Sequence, residues 1–326
     1  MDKPIEPLTK PSRPRRSWRW RVLRAIGIYI GLPYVSLVIL MGLFQRRLIY
    51  HPTHYARMLV AQSTFAPGTV FDVATTAADG VTLNGWHFLP TGSTAKTPAE
   101  VDRQLAAAPF VVLYFYGNAG SRPVNAADCR DLANVGAHVF LFDYRGYGDN
   151  AGSPSEKSFL ADARAIWTYV TRERKVPPER VLIFGQSLGG GVATGLAAYA
   201  CGEGTPPAGL ILESTFSSIA DAAAWHYPFL PVSLLLLDRF PSADRAKSIT
   251  CPILLFHGTA DTIVPIELGR RLFDAFPASS ANGIPKQFVE VPGAGHNDVP
   301  AAKLQSALKA FLTTLGTAKA DRSKHP

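Results

Sequence analysis

Val181-Leu182-Ile183-Phe184-Gly185-Gln186-Ser187-Leu188-Gly189-Gly190-Gly191 is the stretch from which the rest of the chain can be read. Four apolar residues run into a G-x-S-x-G, and more glycine follows. A short apolar run that breaks into a sharp turn and opens a helix holds a serine hydroxyl out at a strand end, where it can attack a carbonyl carbon. The glycines flanking Ser187 suit such a turn because neighbouring backbone passes too close for a Cβ. The five letters alone are a weak signal. Two further tests are independent of them: an acid and a histidine must follow in that order, each just past a strand.

Pro252-Ile253-Leu254-Leu255-Phe256 reads as a buried strand, and His257-Gly258-Thr259-Ala260-Asp261 follows it. Gln287 to Val291 is the next strand candidate, and the glycine-rich loop after it, Pro292 to Asp298, carries His296. Serine is a poor nucleophile until a base takes its proton. Histidine titrates near neutrality and can take that proton and return it. Asp261 would hold the imidazole in one tautomer and stabilise its charged form. Singly, each residue reads as an ordinary turn, cap or surface group. Together, in order and each at a strand exit, Ser187, Asp261 and His296 read as a catalytic set. Asp143 and Glu213 also follow strand-like runs, and Glu213 is the better rival acid. His257 reads as a loop or packing residue. His87, His138 and His226 read as structural, and His51 and His54 lie beside the hydrophobic N-terminal segment.

Acyl transfer places negative charge on the carbonyl oxygen, and backbone N–H groups stabilise it. Leu188, after the nucleophile and at a helix N-terminus, supplies one donor. Phe110 to Phe115 reads as an earlier strand, followed by Tyr116-Gly117-Asn118-Ala119-Gly120, and the second donor is assigned to the N–H of Asn118.

Three blocks now carry a resemblance: Tyr116-Gly117-Asn118-Ala119-Gly120, Asp143-Tyr144-Arg145-Gly146-Tyr147-Gly148 and Gly185-Gln186-Ser187-Leu188-Gly189. With Asp261 and His296 they make the chain similar to the α/β-hydrolase superfamily, in its membrane-anchored branch of small serine hydrolases. The resemblance spans about residues 65 to 315. One departure stands out: such proteins usually have His before the Gly of the first block, where this chain has Tyr116, which bears on pocket shape and polarity. The second block reads as a structural turn bracing the site. The resemblance implies carboxylic ester hydrolysis, or thioester or amide hydrolysis, through an acyl-enzyme, with lipid-modified or acylated substrates among the candidates. Transfer of the acyl group to another acceptor, or a silent membrane scaffold on the same fold, are the competing readings.

Ala25 to Phe44 is a run of twenty residues without a charge. As a helix it would be about 30 Å long, the thickness of a bilayer core. Residues 1–24 hold eight basic residues against Asp2 and Glu6; Arg46 and Arg47 bring the excess to +8, the net charge of the whole chain. The basic balance therefore belongs to the flanks of the apolar run and gives no ground for nucleic-acid binding. More positive charge precedes the run than follows it, which predicts a cytoplasmic N-terminus and a non-cytoplasmic domain on a single-pass signal anchor. Met41 to Arg46 offers no small-x-small cleavage site.

Strand-like and helical runs alternate through the rest. An opening antiparallel pair, Val70 to Thr75 and Val81 to Phe88 around Asp79-Gly80, precedes a mostly parallel sheet with helices on both faces. The expected division is a basic cytoplasmic tail at 1–24, a transmembrane signal anchor at 25–44, a juxtamembrane linker at 45–64, an α/β-hydrolase catalytic domain at 65–316 and a disordered tail at 317–326. Within the domain, 216–247 is expected to form helices whose apolar face lines the acyl pocket as a small lid. Three cysteines (129, 201 and 251) allow one pair and leave one over, and their spacing demands neither. No C-x-x-C, H-E-x-x-H or Walker loop is present, so no metal or organic cofactor is expected.

Overall fold

A computed structural model describes residues 18–324, with side chains described through residue 317. Residues 1–17 of the expected basic tail lie outside the described residues. The chain divides into two units, residues 1–45 and 46–326.

The chain is helical from its first described residue to Ile49. Helix α1 (Trp18–Ile26), a π-helical turn at Gly27–Gly31 and α2 (Leu32–Ile49) make one helix of 32 residues. It is long and apolar enough to cross a membrane, and its apolar window is unburied. The helix outruns the expected 25–44 at both ends, because an uncharged run marks only the apolar centre. Arg and Leu on its flanks are good helix formers. The wide turn has a local cause. Pro33 has no N–H for the carbonyl four residues back, and its ring crowds that carbonyl, so the turn before it opens.

The second unit follows in the order β1 (His51–Pro52), β2 (Val70–Thr76), β3 (Thr82–Phe88), α3 (Pro98–Ala107), β4 (Val111–Phe115), β5 (Ala119–Gly120), α4 (Ala126–Ala133), β6 (His138–Phe142), α5 (Glu156–Thr168), β7 (Val181–Gln186), α6 (Leu188–Gly202), β8 (Gly209–Glu213), α7 (Ile219–His226), α8 (Val232–Leu235), α9 (Ser242–Ala246), β9 (Ile253–Gly258), α10 (Ile266–Ala275), β10 (Gln287–Val291) and α11 (Ala301–Lys324). Eight strands form one sheet in the order β10-β9-β8-β7-β4-β6-β3-β2. The β2–β3 hairpin is antiparallel, β3 is antiparallel to β6, and the remaining pairs are parallel. Every residue of β4, β6, β8 and β9 is buried. That pattern requires cover on both faces, which crossover helices supply. The hairpin turns at Gly80, whose φ of +85° only glycine adopts freely.

Three boundaries differ from the sequence reading. Residues 46–64 are part of the folded body and not a linker. Tyr50 is buried with its ring 5.2 Å from Phe159, β1 pairs in parallel with β5, and Met58 N–H donates to Asp149 at 3.1 Å. These ties are mostly backbone bonds, which leave no apolar periodicity to read. Helix α10 was not anticipated at all. The last helix, expected to stop near Leu315, runs through Gly316 to Lys324, so the expected disordered tail at 317–326 is helical as far as it is described. Ala, Lys and Arg in that stretch favour helix, and one exposed helical glycine costs only about 1 kcal/mol.

Candidate active site

The three side chains singled out from sequence lie in one hydrogen-bonded chain. Ser187 follows β7 and caps α6, with φ +51° and ψ −118°. A non-glycine residue in such a conformation is strained and persists only where its surroundings hold it. Here they do. Ser187 N–H donates to the Glu213 carbonyl at 2.9 Å, and the Thr215 hydroxyl donates to the Ser187 carbonyl at 2.8 Å. A Cβ on Gly189 would run into the Phe115 carbonyl, so α6 can approach β4 this closely only with glycine there. His296 Nδ1 is 2.7 Å from Asp261 Oδ2, and His296 Nε2 is 3.0 Å from Ser187 Oγ. An Nδ1–H donated to the carboxylate leaves Nε2 bare to accept the serine proton.

Asp261 is held as an anion. Oδ1 accepts the N–H groups of Ile263 at 2.9 Å and Val264 at 2.8 Å. Oδ2 faces both His296 and, at 3.3 Å, His257 Nε2. Burial alone would raise its pKa; the donors from His257, His296 and Val264 outweigh it and hold the carboxyl well below the usual range. His257 is fully buried, with Nε2 2.7 Å from the Val264 carbonyl, so it braces the acid's loop.

The rival acids sit elsewhere. Glu213, beside Gln186 in the β7–β8 register, has no side-chain bond to His296. Burial first, and then the neighbouring charge of Asp128, raise its pKa to about 8. A carboxyl that stays protonated at neutral pH cannot stabilise an imidazolium. Asp143 is buried under other duties: it accepts from Arg122 N–H at 2.7 Å and the Tyr116 hydroxyl at 3.0 Å, and its second oxygen is 3.0 Å from Arg122 Nε. Tyr116 thus turns its hydroxyl to Asp143 and away from the cleft; the departure from the family pattern is absorbed inside the core. Arg145 pairs with Asp162 and Asp79, as befits a structural turn.

Gly117, Asn118, Ser187, Leu188 and His296 line a single cleft of about 780 Å³. The backbone N–H groups of Leu188 and Asn118 donate to no acceptor among the described residues. Leu188 is the first residue of α6, where the helix leaves its N–H groups open. Asn118 is pinned from behind: its carbonyl accepts His51 N–H at 2.9 Å and the Tyr147 hydroxyl at 2.8 Å, and its side-chain amide donates to the Ile49 carbonyl at 3.2 Å.

Two kinds of wall complete the cleft. The 216–247 segment contributes Phe216, Ile219, Ala222, Ala223 and Tyr227, while Trp225, Phe229, Leu234 and Leu237 of the same segment are exposed. His226, read from sequence as structural, lines the cleft with Nε2 2.8 Å from the Ile263 carbonyl. Asn125, Asp128 and Gln186 make a polar wall, with the Tyr114 hydroxyl 3.1 Å from both the Asp128 carboxylate and Gln186 Oε1. Burial, only partly offset by Tyr114, raises the Asp128 pKa. Sequence reasoning missed this wall, since Asn125 and Asp128 come from the start of α4 and Gln186 from the end of β7, and no motif links them. Among the described residues no cluster of three or more His, Cys, Asp or Glu is arranged to hold a metal ion.

Comparison with known proteins bears on the family and the fold. A family model described as serine aminopeptidase, S33, matches residues 110–242. An uncharacterized protein of Mycobacterium tuberculosis, Rv2307c, is 39% identical over 298 residues, covering 90% of this chain and 96% of that one. The lysophosphatidylserine lipase ABHD12 of Macaca fascicularis is 33% identical over 307 residues, covering 84% and 75%. Among solved structures, the Pyrococcus furiosus esterase Pf2001 matches with a TM-score of 0.56 and 20% identity over 82% of this chain and 98% of its own, a likeness of fold.

Proposed function

Because the chain belongs to the α/β-hydrolase superfamily, we propose that it is a membrane-anchored serine hydrolase that cleaves carboxylic esters of lipid-like acyl substrates. The reading is carried by one observation: Ser187, His296 and Asp261 are linked at 3.0 and 2.7 Å on a cleft that is apolar along one segment. His296 Nε2 takes the proton as Ser187 Oγ attacks the acyl carbon. The oxyanion is received by the N–H groups of Leu188 and Asn118; one such donor is worth about 10²–10³ in kcat. Collapse expels the alcohol, which takes the proton from His296. Water, activated by the same imidazole, then releases the acid from the acyl-enzyme.

The cleft's two walls suggest an amphiphile. The apolar residues at 216–227 take a single acyl chain, acting as a small lid. Asn125, Asp128 and Gln186 offer acceptors to a hydroxyl- or amine-bearing head. The lipase relative's named substrate class, a lysophospholipid, has that shape. The N-terminal helix anchors the chain as a single span. Its basic N-terminal flank keeps that end in the cytoplasm and puts the catalytic body on the non-cytoplasmic side.

A fluorophosphonate probe tests the chemistry, followed by a panel of esters graded by acyl length. The folded protein is expected to be labelled, and Ser187→Ala to lose both labelling and turnover by at least about 10³-fold with its melting temperature kept. Labelling that survives Ser187→Ala, or none in the folded wild type, overturns the assignment.

A further inference from the structure

The end of the sheet away from the cleft holds two thiols that the proposed hydrolysis does not use. Helix α6 begins at the nucleophile and is 15 residues long; Cys201 lies in its last turn, about 20 Å along its axis from Ser187. Cys251 stands just before β9, the strand whose other end leads to Asp261. The fold brings the two together. Thr250 N–H donates to Cys201 Sγ at 3.5 Å, so the next residue in the chain, Cys251, is carried alongside that thiol. Cys129 is buried in α4 and takes no part.

The two sulfurs differ in character. Cys251 is buried, but it borders a cavity of about 330 Å³ that is also lined by Pro206, Pro207, Ala208 and Asn282. Cys201 is half-buried. The hydrogen bond from Cys251 leads the causes that bring the Cys201 thiol down to about 6, against burial that would raise it, while Cys251 is pushed well up. One sulfur is therefore a thiolate near neutral pH and the other a thiol beside it, the division of labour between an attacking and a resolving cysteine.

We infer that Cys201 and Cys251 are a redox-active pair, converted to an intramolecular disulfide by a small-molecule or protein disulfide. The Cys201 thiolate attacks one sulfur of the oxidant and expels the other half as a thiol. Cys251, giving up its proton, then attacks Cys201 Sγ in the mixed disulfide and expels the second half. Two protein thiols lose two hydrogens, and the oxidant leaves as two thiols. Bond formation requires the two sulfurs to close to about 2 Å. The new bond would tie the end of α6 to the start of β9 and enclose β8 and the whole 216–247 segment. It does not depend on what the cleft hydrolyses.

The test uses the full chain in detergent, incubated with glutathione disulfide near neutral pH. Free thiols are then alkylated and the peptides mapped by mass. A Cys201–Cys251 linkage with Cys129 still alkylated is the expected product. Oxidation should raise the melting temperature by roughly 5–10 °C, since a long loop of the unfolded chain is closed, and dithiothreitol should reverse the gain. Cys251→Ser should stop at a glutathione adduct on Cys201, and Cys201→Ser, at a half-buried position, should give no product. An adduct on Cys201 as the end product in wild type, an unmodified Cys201, or a linkage through Cys129 overturns the inference.

Discussion

Replacing Asp261 by Asn removes one charge and almost no volume, and the structure dictates which way the new amide turns. The N–H groups of Ile263 and Val264 both point at Oδ1, at 2.9 and 2.8 Å. An amide oxygen must stay there, because an NH₂ group would face two donors. The NH₂ is then forced into the place of Oδ2, 2.7 Å from His296 Nδ1. A donor facing Nδ1 selects the tautomer in which Nδ1 accepts and Nε2 carries the hydrogen. Nε2, 3.0 Å from Ser187 Oγ, can then no longer accept the serine proton. Loss of the correct tautomer in a Ser-His-Asp set costs about 10⁴ in kcat, or about 5.5 kcal/mol of barrier. The assay is turnover of a soluble ester by Asp261→Asn beside Glu213→Gln, with unfolding midpoints to show both are folded. If Asp261→Asn kept more than a tenth of wild-type kcat while Glu213→Gln lost it, the acid would be Glu213 and the reasoning wrong.

Glu213→Gln should instead reveal itself in stability. Its pKa of about 8 in the fold means that it keeps a proton which the unfolded chain, near 4.5, has released; between those values the unfolded state binds fewer protons and stability falls as pH rises. The Gln variant should gain about 1–4 kcal/mol at pH 8 and almost nothing at pH 4, read as thermal unfolding of both proteins at both pH values; an equal gain at each, or a loss at pH 8, counts against the buried neutral carboxyl. A reporter fused after Pro326 should behave as non-cytoplasmic, and a cytoplasmic readout would reverse the proposed orientation.

What could be read from the sequence was what packing dictates locally. The elbow was legible because Gly189 is required where α6 presses on β4, and a requirement so strict leaves a fixed spelling. The β2–β3 hairpin was legible from Gly80. Helix α10 was not. It contains Gly269, a poor helix residue that is there because a Cβ would strike the His257 ring. Tertiary packing overrode local propensity. The polar wall of the cleft was equally invisible, because Tyr114, Asp128 and Gln186 meet only once β4, α4 and β7 are side by side. The segment at 46–64 hid for another reason: beside the Tyr50 ring and the Arg46–Asp238 pair, many of its attachments run through backbone groups, which every residue type has.

That last segment bears on anyone trimming the protein for work without detergent. Ile49 and His51 grip Asn118 from behind, β1 zips onto β5, and Arg46 holds Asp238 at 2.9 Å. A cut just downstream of the helix, at Thr53 for example, would look harmless on a hydropathy plot. It would nonetheless pull the backing from a proposed oxyanion donor. A soluble version should begin ahead of Arg46, with the greasy residues before it recoloured to polar ones where they need not touch the body.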